Sequence, residues 1–233
     1  MVGRTVAEAE VRQPPESFSD YAIRSIRQDL IEGRLMPGER IGAEELAESL
    51  GISHVPVREA LRFLEAQGHV RRGARGQLRV AGVTPEEADE IYRLRELLES
   101  DIHRVAMPLL TDADIDELRL HYAEMERAVA AHDIPVFAQA NRAFHFVPFR
   151  RSNQTWSIRF LDMIWDAAAR YQTSLFQRDG WEVRLQRQHS DLLEAMTRRD
   201  ADEVNRLMNE HRHVTVESTH LAAERGEGEV ASR

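Results

Sequence analysis

The sequence predicts a mostly α-helical protein, with an N-terminal winged helix-turn-helix of three helices and a β-hairpin, followed by an all-α bundle of six or seven helices. Two observations predict this fold. Apolar residues recur at helical spacing along most of the chain, with Pro and Gly breakers between the segments. Residues 70–80 instead have the pattern of two short strands around a glycine-containing turn. The length of 233 residues fits a small module followed by a larger one.

The N-terminal helices are predicted from their apolar spacing and their breakers. Residues 1–17 contain a Pro-Pro pair and little periodicity, so we expect a flexible arm there. A first helix is predicted from about Tyr21, and a second over Ala43–Leu50. Gly51 follows the second helix and can adopt the left-handed conformation that a tight turn needs.

The third helix and the wing complete this module. Ser53 is predicted to cap a helix that runs to about Gln67, and residues 70–80 are predicted to form a basic hairpin that turns between Gly73 and Gly76. Residues 53–80 hold six Arg and two Glu, a local charge of +4 in a chain whose net charge is −9. That local sign suits the phosphates of nucleic acid.

Six helical segments follow the wing. Thr84 begins a capping box with proline at the first helical position, and Pro148 could split one helix into two. The segments are predicted over about 84–107, 111–131, 135–149, 153–176, 180–198 and 201–221. The predicted domains are 18–82 for the winged helix-turn-helix, 83–222 for the helical domain and 223–233 for a disordered tail.

Composition narrows the function classes. The sequence has no cysteine, so a metal would need His, Asp, Glu or Asn ligands. It has no signal-like N-terminus and no long apolar run, so we expect a cytoplasmic protein without a membrane partner.

Two segments resemble the signature of the GntR superfamily of bacterial transcription regulators. They are LIEGRLMPGERI (30–41) and ELAESLGISHVPVREALRFLEAQGHV (45–70). The resemblance implies that Arg58 enters the major groove and that the wing approaches the minor groove. Arg58 can place its guanidinium on guanine O6 and N7. The predicted DNA-binding residues are Arg40, Ser53, His54, Arg58, Arg62, Arg75 and Gly76.

Two details of this interface stay open. His54 stands where the family usually has arginine, so it could read a base, contact a phosphate or face solvent. Arg71 and Arg79 could equally belong to a solvated charged hairpin.

A second constellation suggests a metal site. Asn141 and His145 are four residues apart on one predicted helix and share a face, while His189 and His211 lie on two further helices. Three imidazoles and one oxygen suit zinc, with nickel and manganese as alternatives. The alternative interpretation is that these histidines bind no metal and are ordinary core or surface residues whose hydrogen bonds are satisfied. His213 should point to another face and is not expected to be a ligand.

Residues 84–214 resemble the FCD effector domain of the FadR-like branch of GntR regulators. The matching motifs are TPEEADEIYRLRELLE (84–99), NRAFH (141–145), QHSDLLEAM (188–196) and MNEH (208–211). The resemblance implies that Asn141, His145, His189 and His211 hold a divalent metal at the floor of an effector pocket, with Asn141 in place of the commoner Asp.

Arg95 is a candidate for binding the carboxylate of the effector, because a guanidinium pairs with a carboxylate bidentately. A surface pair with Glu99, four residues on, explains Arg95 equally well.

The sequence thus predicts a metabolite-responsive transcription repressor rather than an enzyme. We expect it to bind a palindromic operator in double-stranded DNA as a homodimer, and to respond to a small carboxylate. The alternatives are a helical metalloenzyme that uses the same histidines, and a metal-dependent structural or sensing module without an organic effector.

Overall fold

The computed structural model describes residues 17–31, 33–176, 178 and 180–225. Within them the helices are α1 (Phe18–Ile31), α2 (Ala43–Leu50), α3 (His54–Ala66), α4 (Pro85–Ala106), α5 (Asp112–Ala130), α6 (Ile134–Arg151), α7 (Thr155–Phe176), α8 (Trp181–Thr197) and α9 (Ala201–Glu224). A 3₁₀-helix covers Met107–Leu109, and the strands are β1 (Arg40–Ile41), β2 (Val70–Arg72) and β3 (Leu78–Val80). Of the predicted arm and tail, 1–16 and 226–233 lie outside the described residues.

The predicted fold class is confirmed in both parts of the chain. Helices α1 to α3 and the hairpin enclose a core that includes Ile26, Leu61 and Val80. Strand β1 pairs with β3 and completes a three-stranded antiparallel sheet of order β1-β3-β2. The sequence did not predict β1, because two residues are too short to show an alternating pattern.

The turn before α3 is as predicted, but the cap is not. Gly51 adopts a left-handed conformation with φ of +66°, and its N–H donates to the carbonyl of Glu48. Ser53 occupies the N-cap position, yet its side chain accepts no hydrogen bond from the helix. The third residue of α3, Pro56, has no backbone N–H, so the hydroxyl lacks one of the donors that a cap normally uses.

The helical domain contains six α-helices among its described residues. The hydroxyl of Thr84 accepts a hydrogen bond from the Glu87 N–H, but the reciprocal half of the predicted capping box is not formed. The Glu87 carboxylate instead pairs with Arg170 at 2.8 Å and accepts a bond from Tyr171. A complete capping box occurs at Thr111, at the start of α5.

Pro148 does not split a helix, because α6 continues through it to Arg151. The neighbouring Val147 and Phe149 are buried, so packing holds this turn in place. The largest core lies among α5, α6, α8 and α9 and includes Leu118 and Phe144. Among the described residues, none of the helices combines the length and the apolarity needed to cross a membrane.

Candidate metal centre and nucleic-acid interface

The helix-turn-helix presents one buried and one exposed face of α3. Val57, Leu61 and Leu64 are fully buried against α1 and α2, whereas Arg58 and Arg62 are exposed one turn apart. This segregation follows from the helical period, since residues four apart share a face. The two guanidinium groups therefore lie on the exposed side of α3, the side that a groove of DNA could approach.

The wing tip is a tight turn closed by backbone hydrogen bonds. Gly73 N–H donates to the Gln77 carbonyl at 2.8 Å, and Gly76 has a left-handed φ of +78°. Arg75 is exposed at this tip. By contrast, Arg71 pairs with Glu87 at 3.1 Å, and Arg79 donates to the Gly38 carbonyl at 2.8 Å. The last two arginines therefore make contacts within the protein rather than forming a purely solvated hairpin.

All the residues that the sequence assigned to DNA contact are exposed. They are Arg40, Ser53, His54, Arg58, Arg62, Arg75 and Gly76. None of the four arginines in this set has an ion-pair partner among the described residues. A surface with four unneutralised guanidinium groups is suited to phosphates and base edges.

Three histidines from three helices meet inside the helical domain. His145 of α6, His189 of α8 and His211 of α9 place ring nitrogens within 4.8 Å of one another. The Asn141 side-chain oxygen lies 2.7 Å from Nε2 of His189, one turn before His145 on α6. The structure thus brings together all four residues that the sequence predicted as metal ligands, and His213 is exposed outside the cluster.

In His189 and His211, Nδ1 has an oxygen partner outside the cluster, which leaves Nε2 of each ring for the cluster. Nδ1 of His189 lies 2.8 Å from the Leu185 carbonyl, which can only accept, so Nδ1 of the neutral ring carries the proton. The lone pair of Nε2 then faces the Asn141 oxygen, which is also an acceptor, and a cation between the two atoms would satisfy both. Nδ1 of His211 lies 3.1 Å from the Gln188 side-chain oxygen, which favours the same tautomer. Such outer hydrogen bonds orient imidazoles that hold metals.

His145 is the least satisfied of the three. It is fully buried, and neither of its ring nitrogens has a hydrogen-bond partner within the described part of the chain. Buried polar atoms are nearly always paired, because leaving one unpaired costs about 1–3 kcal/mol. A cation among these rings would give the His145 lone pair a partner, so the donor set fits a metal ion.

Burial also sets the protonation of the cluster. It lowers the pKa of His189 to about 4. Burial likewise brings the pKa values of His145 and His211 well below their usual range, and the neighbouring imidazoles and Arg95 add to this effect. The three rings are therefore neutral at pH 7, which is the form that binds a metal.

Arg95 and Glu99 form the ion pair that their spacing predicts, but the prediction that this pair lies at the surface is wrong. Both side chains are buried, and Nε of Arg95 donates to Glu99 at 2.9 Å. Arg212 and the Trp165 indole N–H also donate to Glu99, and the Arg95 guanidinium lies 3.8 Å from the Trp165 ring centre. Tertiary packing of α7 and α9 onto α4 buries the pair, and helical spacing alone could not show this.

This network contains two guanidinium groups and one carboxylate. Burial alone would raise the pKa of Glu99, but Arg95 and Arg212 lower it, and the net result lies below its usual value. Glu99 is therefore ionised, and the two guanidinium groups share its one negative charge, while Glu96 also interacts with Arg212. The roles of Gln188, Trp165 and Arg212 were not predicted from the sequence, although Gln188 and Arg212 directly adjoin His189 and His211.

Comparison with known families identifies both parts of the chain. The FCD domain family matches residues 90–214, which is more than half of the chain. The family described as bacterial regulatory proteins, gntR family, matches residues 19–80. The chain belongs to the GntR family of regulators with an FCD domain.

Several GntR-type regulators are similar to it in sequence. YdhC of Bacillus subtilis is 35% identical over 107 residues, 46% of each chain. McbR of Escherichia coli is 31% identical over 140 residues, 60% of this chain and 63% of McbR. The gluconate operon transcriptional repressor of Bacillus licheniformis is 27% identical over 145 residues, 60% of this chain and 56% of the repressor. The matches thus span about half to two thirds of these relatives.

The solved structure of E. coli McbR/YncC shares the GntR fold of this chain. It superposes with a TM-score of 0.77 at 24% identity, covering 90% of this chain and 99% of McbR. These relatives carry the names of transcription regulators or a repressor and none that of an enzyme, so they give no support to the metalloenzyme alternative.

Proposed function

We propose that this GntR-type protein is a repressor that binds a palindromic operator as a homodimer and whose helical domain holds a divalent metal and a small carboxylate effector. The observation that carries the proposal is the convergence of three neutral imidazoles within 4.8 Å, two of them buried and the third half-buried. His145 has no partner for either ring nitrogen among the described residues. The name of the gluconate operon repressor supports repression.

The metal ligands would be His145, His189, His211 and Asn141. Three imidazole nitrogens and an amide oxygen without thiolate favour zinc, and nickel or manganese remain compatible with the same donors. When bound, the ion would supply a positive charge and an open coordination position for an anion. Asn141 contributes no charge, so the substitution Asn141→Asp should strengthen the affinity for zinc.

The effector would bind beside the two buried guanidinium groups. Arg95 and Arg212 share the single carboxylate of Glu99, so an incoming carboxylate would find an electropositive environment. A cleft of about 490 Å³ between α4 and α9 reaches Arg212 from outside. Its lining also includes three acids, Asp89, Glu96 and Glu210, so the attraction for a carboxylate would come from Arg95 and Arg212 and not from the cleft as a whole. Arg95 would bind the effector from within.

Dimerisation would occur through the helical domain. Two half-sites of a palindrome need two recognition helices related by a two-fold axis, so the occupant of the interface is a second copy of this chain. The outer face of α7 exposes Trp156, Phe160 and Met163 at helical spacing, with 68%, 52% and 41% of their surfaces accessible. Adjacent exposed apolar side chains of this size are typical of an interface.

The test is metal analysis and zinc titration of the full-length protein and of the variant His189→Ala. We expect the wild-type protein to bind one zinc ion per chain, and His189→Ala to lower the affinity by more than about tenfold because one of few ligands is lost. DNA binding without effector should stay near normal.

His213→Ala is the matched control, since His213 lies two residues from His211 but outside the cluster. It should keep wild-type zinc affinity. A His189 variant that binds zinc as tightly as the wild-type protein would overturn the assignment of the site.

A further inference from the structure

One buried carboxylate lies between the DNA-binding and helical parts of the molecule. Asp166 of α7 has only 7% of its side chain exposed. One of its oxygens lies 3.3 Å from Nε of Arg27 on α1, and the other lies 3.2 Å from a terminal nitrogen of Arg142 on α6. The two arginines thus share a single carboxylate, with Arg27 held by an ion pair without hydrogen-bond geometry. Their helices, α1 and α6, contribute to different cores of the protein.

Arg27 also contacts the recognition helix α3. It donates to the Gln67 side-chain oxygen at 2.5 Å, and Gln67 is the C-cap residue of α3. The Arg27 guanidinium lies 5.8 Å from the ring centre of Phe63 on the same helix. Arg27 therefore joins the last turn of α3 to α7 of the helical domain.

Arg142 makes the corresponding contacts on the other side. It directly follows Asn141 on α6, the helix that also carries His145. Its guanidinium lies 4.5 Å from the Phe146 ring centre, and a terminal nitrogen donates to Asp162 at 2.6 Å. The position of this side chain therefore depends on α6, which holds two of the candidate metal ligands.

The energetics make Asp166 sensitive to both neighbours. Burial raises the pKa of this carboxyl, while Arg142 and Arg27 oppose the rise. A buried charge that loses one of its partners is strongly destabilised. A shift of α6 that weakens the contact to Arg142 therefore changes the contact to Arg27 as well.

We propose that Asp166 is a positioning residue that couples α6 of the helical domain to the recognition helix α3, by holding Arg142 with one oxygen and Arg27 with the other. The bridge fixes how the DNA-binding part sits on α7. It also supplies a route by which a change at α6 alters the orientation of α3, since both ends bias the same carboxylate.

Hydrogen exchange of the full-length, metal-free protein tests the bridge. Asp166→Asn keeps the size of the side chain and removes its charge. We expect the amides of α1 and α3 to exchange about fivefold faster or more, while those of α8 stay unchanged. Asp116→Asn is the control: it removes the same kind of charge from an ion pair with Arg119 within α5 and touches neither Arg27 nor Arg142, so exchange in α1 and α3 should stay at the wild-type rate.

A double-mutant cycle separates the pair from a general loss of packing. Arg27→Gln should accelerate exchange in α3 at least as much as Asp166→Asn does, because it also loses the contacts to Gln67 and Phe63. The effect of the double variant should fall short of the sum of the two single effects, because both substitutions remove the same interaction. Circular dichroism would verify that each variant is folded. Wild-type exchange in α1 and α3 of Asp166→Asn, or additive effects in the cycle, would overturn the proposal.

A further measurement with zinc tests the link between α6 and α3, and it rests on the proposed metal site. Saturating zinc should slow exchange in α3 of the wild-type protein, and this slowing should disappear in Asp166→Asn although the variant still binds zinc by metal analysis. If the wild-type protein binds no zinc, the proposed metal site fails, and the metal-free measurements still decide the bridge. If zinc slows α3 equally in both proteins, the bridge is not the route.

Discussion

Arg58 is the single residue on which sequence-specific DNA binding should depend most. It is exposed in the first turns of α3, beside Arg62 and without an ion-pair partner among the described residues. Arg58→Ala should weaken binding to the preferred duplex by about 1–3 kcal/mol, because a bidentate contact to guanine is lost. The preferred duplex would come from selection out of a random pool, and gel-shift titration would measure the affinity.

The control for Arg58 is Arg206→Ala, which removes an exposed arginine from α9 in the helical domain. It should retain wild-type affinity for the same duplex. Equal affinities of the Arg58 variant and the wild-type protein would contradict the assigned recognition helix.

His69 should make the stability of the protein depend on pH. It is buried, and burial, with help from Arg27 and Arg170, lowers its pKa from 6.5 to about 4. As the pH falls, His69 is therefore protonated in the unfolded chain before it is protonated in the folded protein. The contribution of neutral His69 to the free energy of unfolding is complete above pH 6.5 and is lost as the pH falls toward 4. Between pH 7 and pH 5 this group alone should remove about 2 kcal/mol from the free energy of unfolding.

Urea denaturation at pH 7 and pH 5 would measure this contribution. His69→Gln cannot be protonated, so its free energy of unfolding should fall less over the same interval than that of the wild-type protein. Identical pH dependence of the two proteins would show that His69 is not the group responsible.

At the scale of elements, α7 has a buried face and an exposed apolar face. Its inner face buries Leu161 and Trp165 and supplies Asp166, whereas its outer face exposes Trp156 and Phe160. Phe160→Glu places a charge on the outer face and should dissociate the proposed homodimer, because a charge is costly to bury without a partner. Sedimentation velocity at micromolar concentration should then show a monomer.

Val183→Glu is the matched control, since Val183 is 77% exposed on a different helix, α8. This variant should sediment like the wild-type protein. A dimeric Phe160→Glu variant would place the interface elsewhere.

At the scale of the molecule, the two parts have separate cores. The buried cluster of the helix-turn-helix comes from residues between Ala22 and Val80, and the largest cluster of the helical domain from residues between Ala106 and Val214. A fragment of residues 84–233 retains the second core and the outer face of α7, so it should fold and sediment as a dimer at micromolar concentration. A folded but monomeric fragment would contradict dimerisation through the helical domain.

The order of the helices, the turn at Gly51, the wing and the four residues of the candidate metal centre could all be predicted without the structure. These features are local, because helical periodicity, glycine conformation and the four-residue spacing of Asn141 and His145 act within one element. The motif resemblance then joined His189 and His211 to that pair, which spacing alone could not do. Predictions from local sequence were wrong where a residue distant in sequence provided a competing partner. The Glu87 carboxylate, for example, binds Arg170 and Tyr171 and does not complete the capping box at Thr84.

Which charges are buried, and what they contact, could not be predicted from the sequence and follows from the packing of the helices. Arg95 and Glu99 look like an ordinary surface pair in the sequence, but packing of α4, α7 and α9 turns them into a buried network with Arg212. Asp166 carries no sequence signal at all, because its partners Arg27 and Arg142 lie far from it along the chain. Contacts between distant segments depend on how helices pack, and one-dimensional patterns carry little information about that packing.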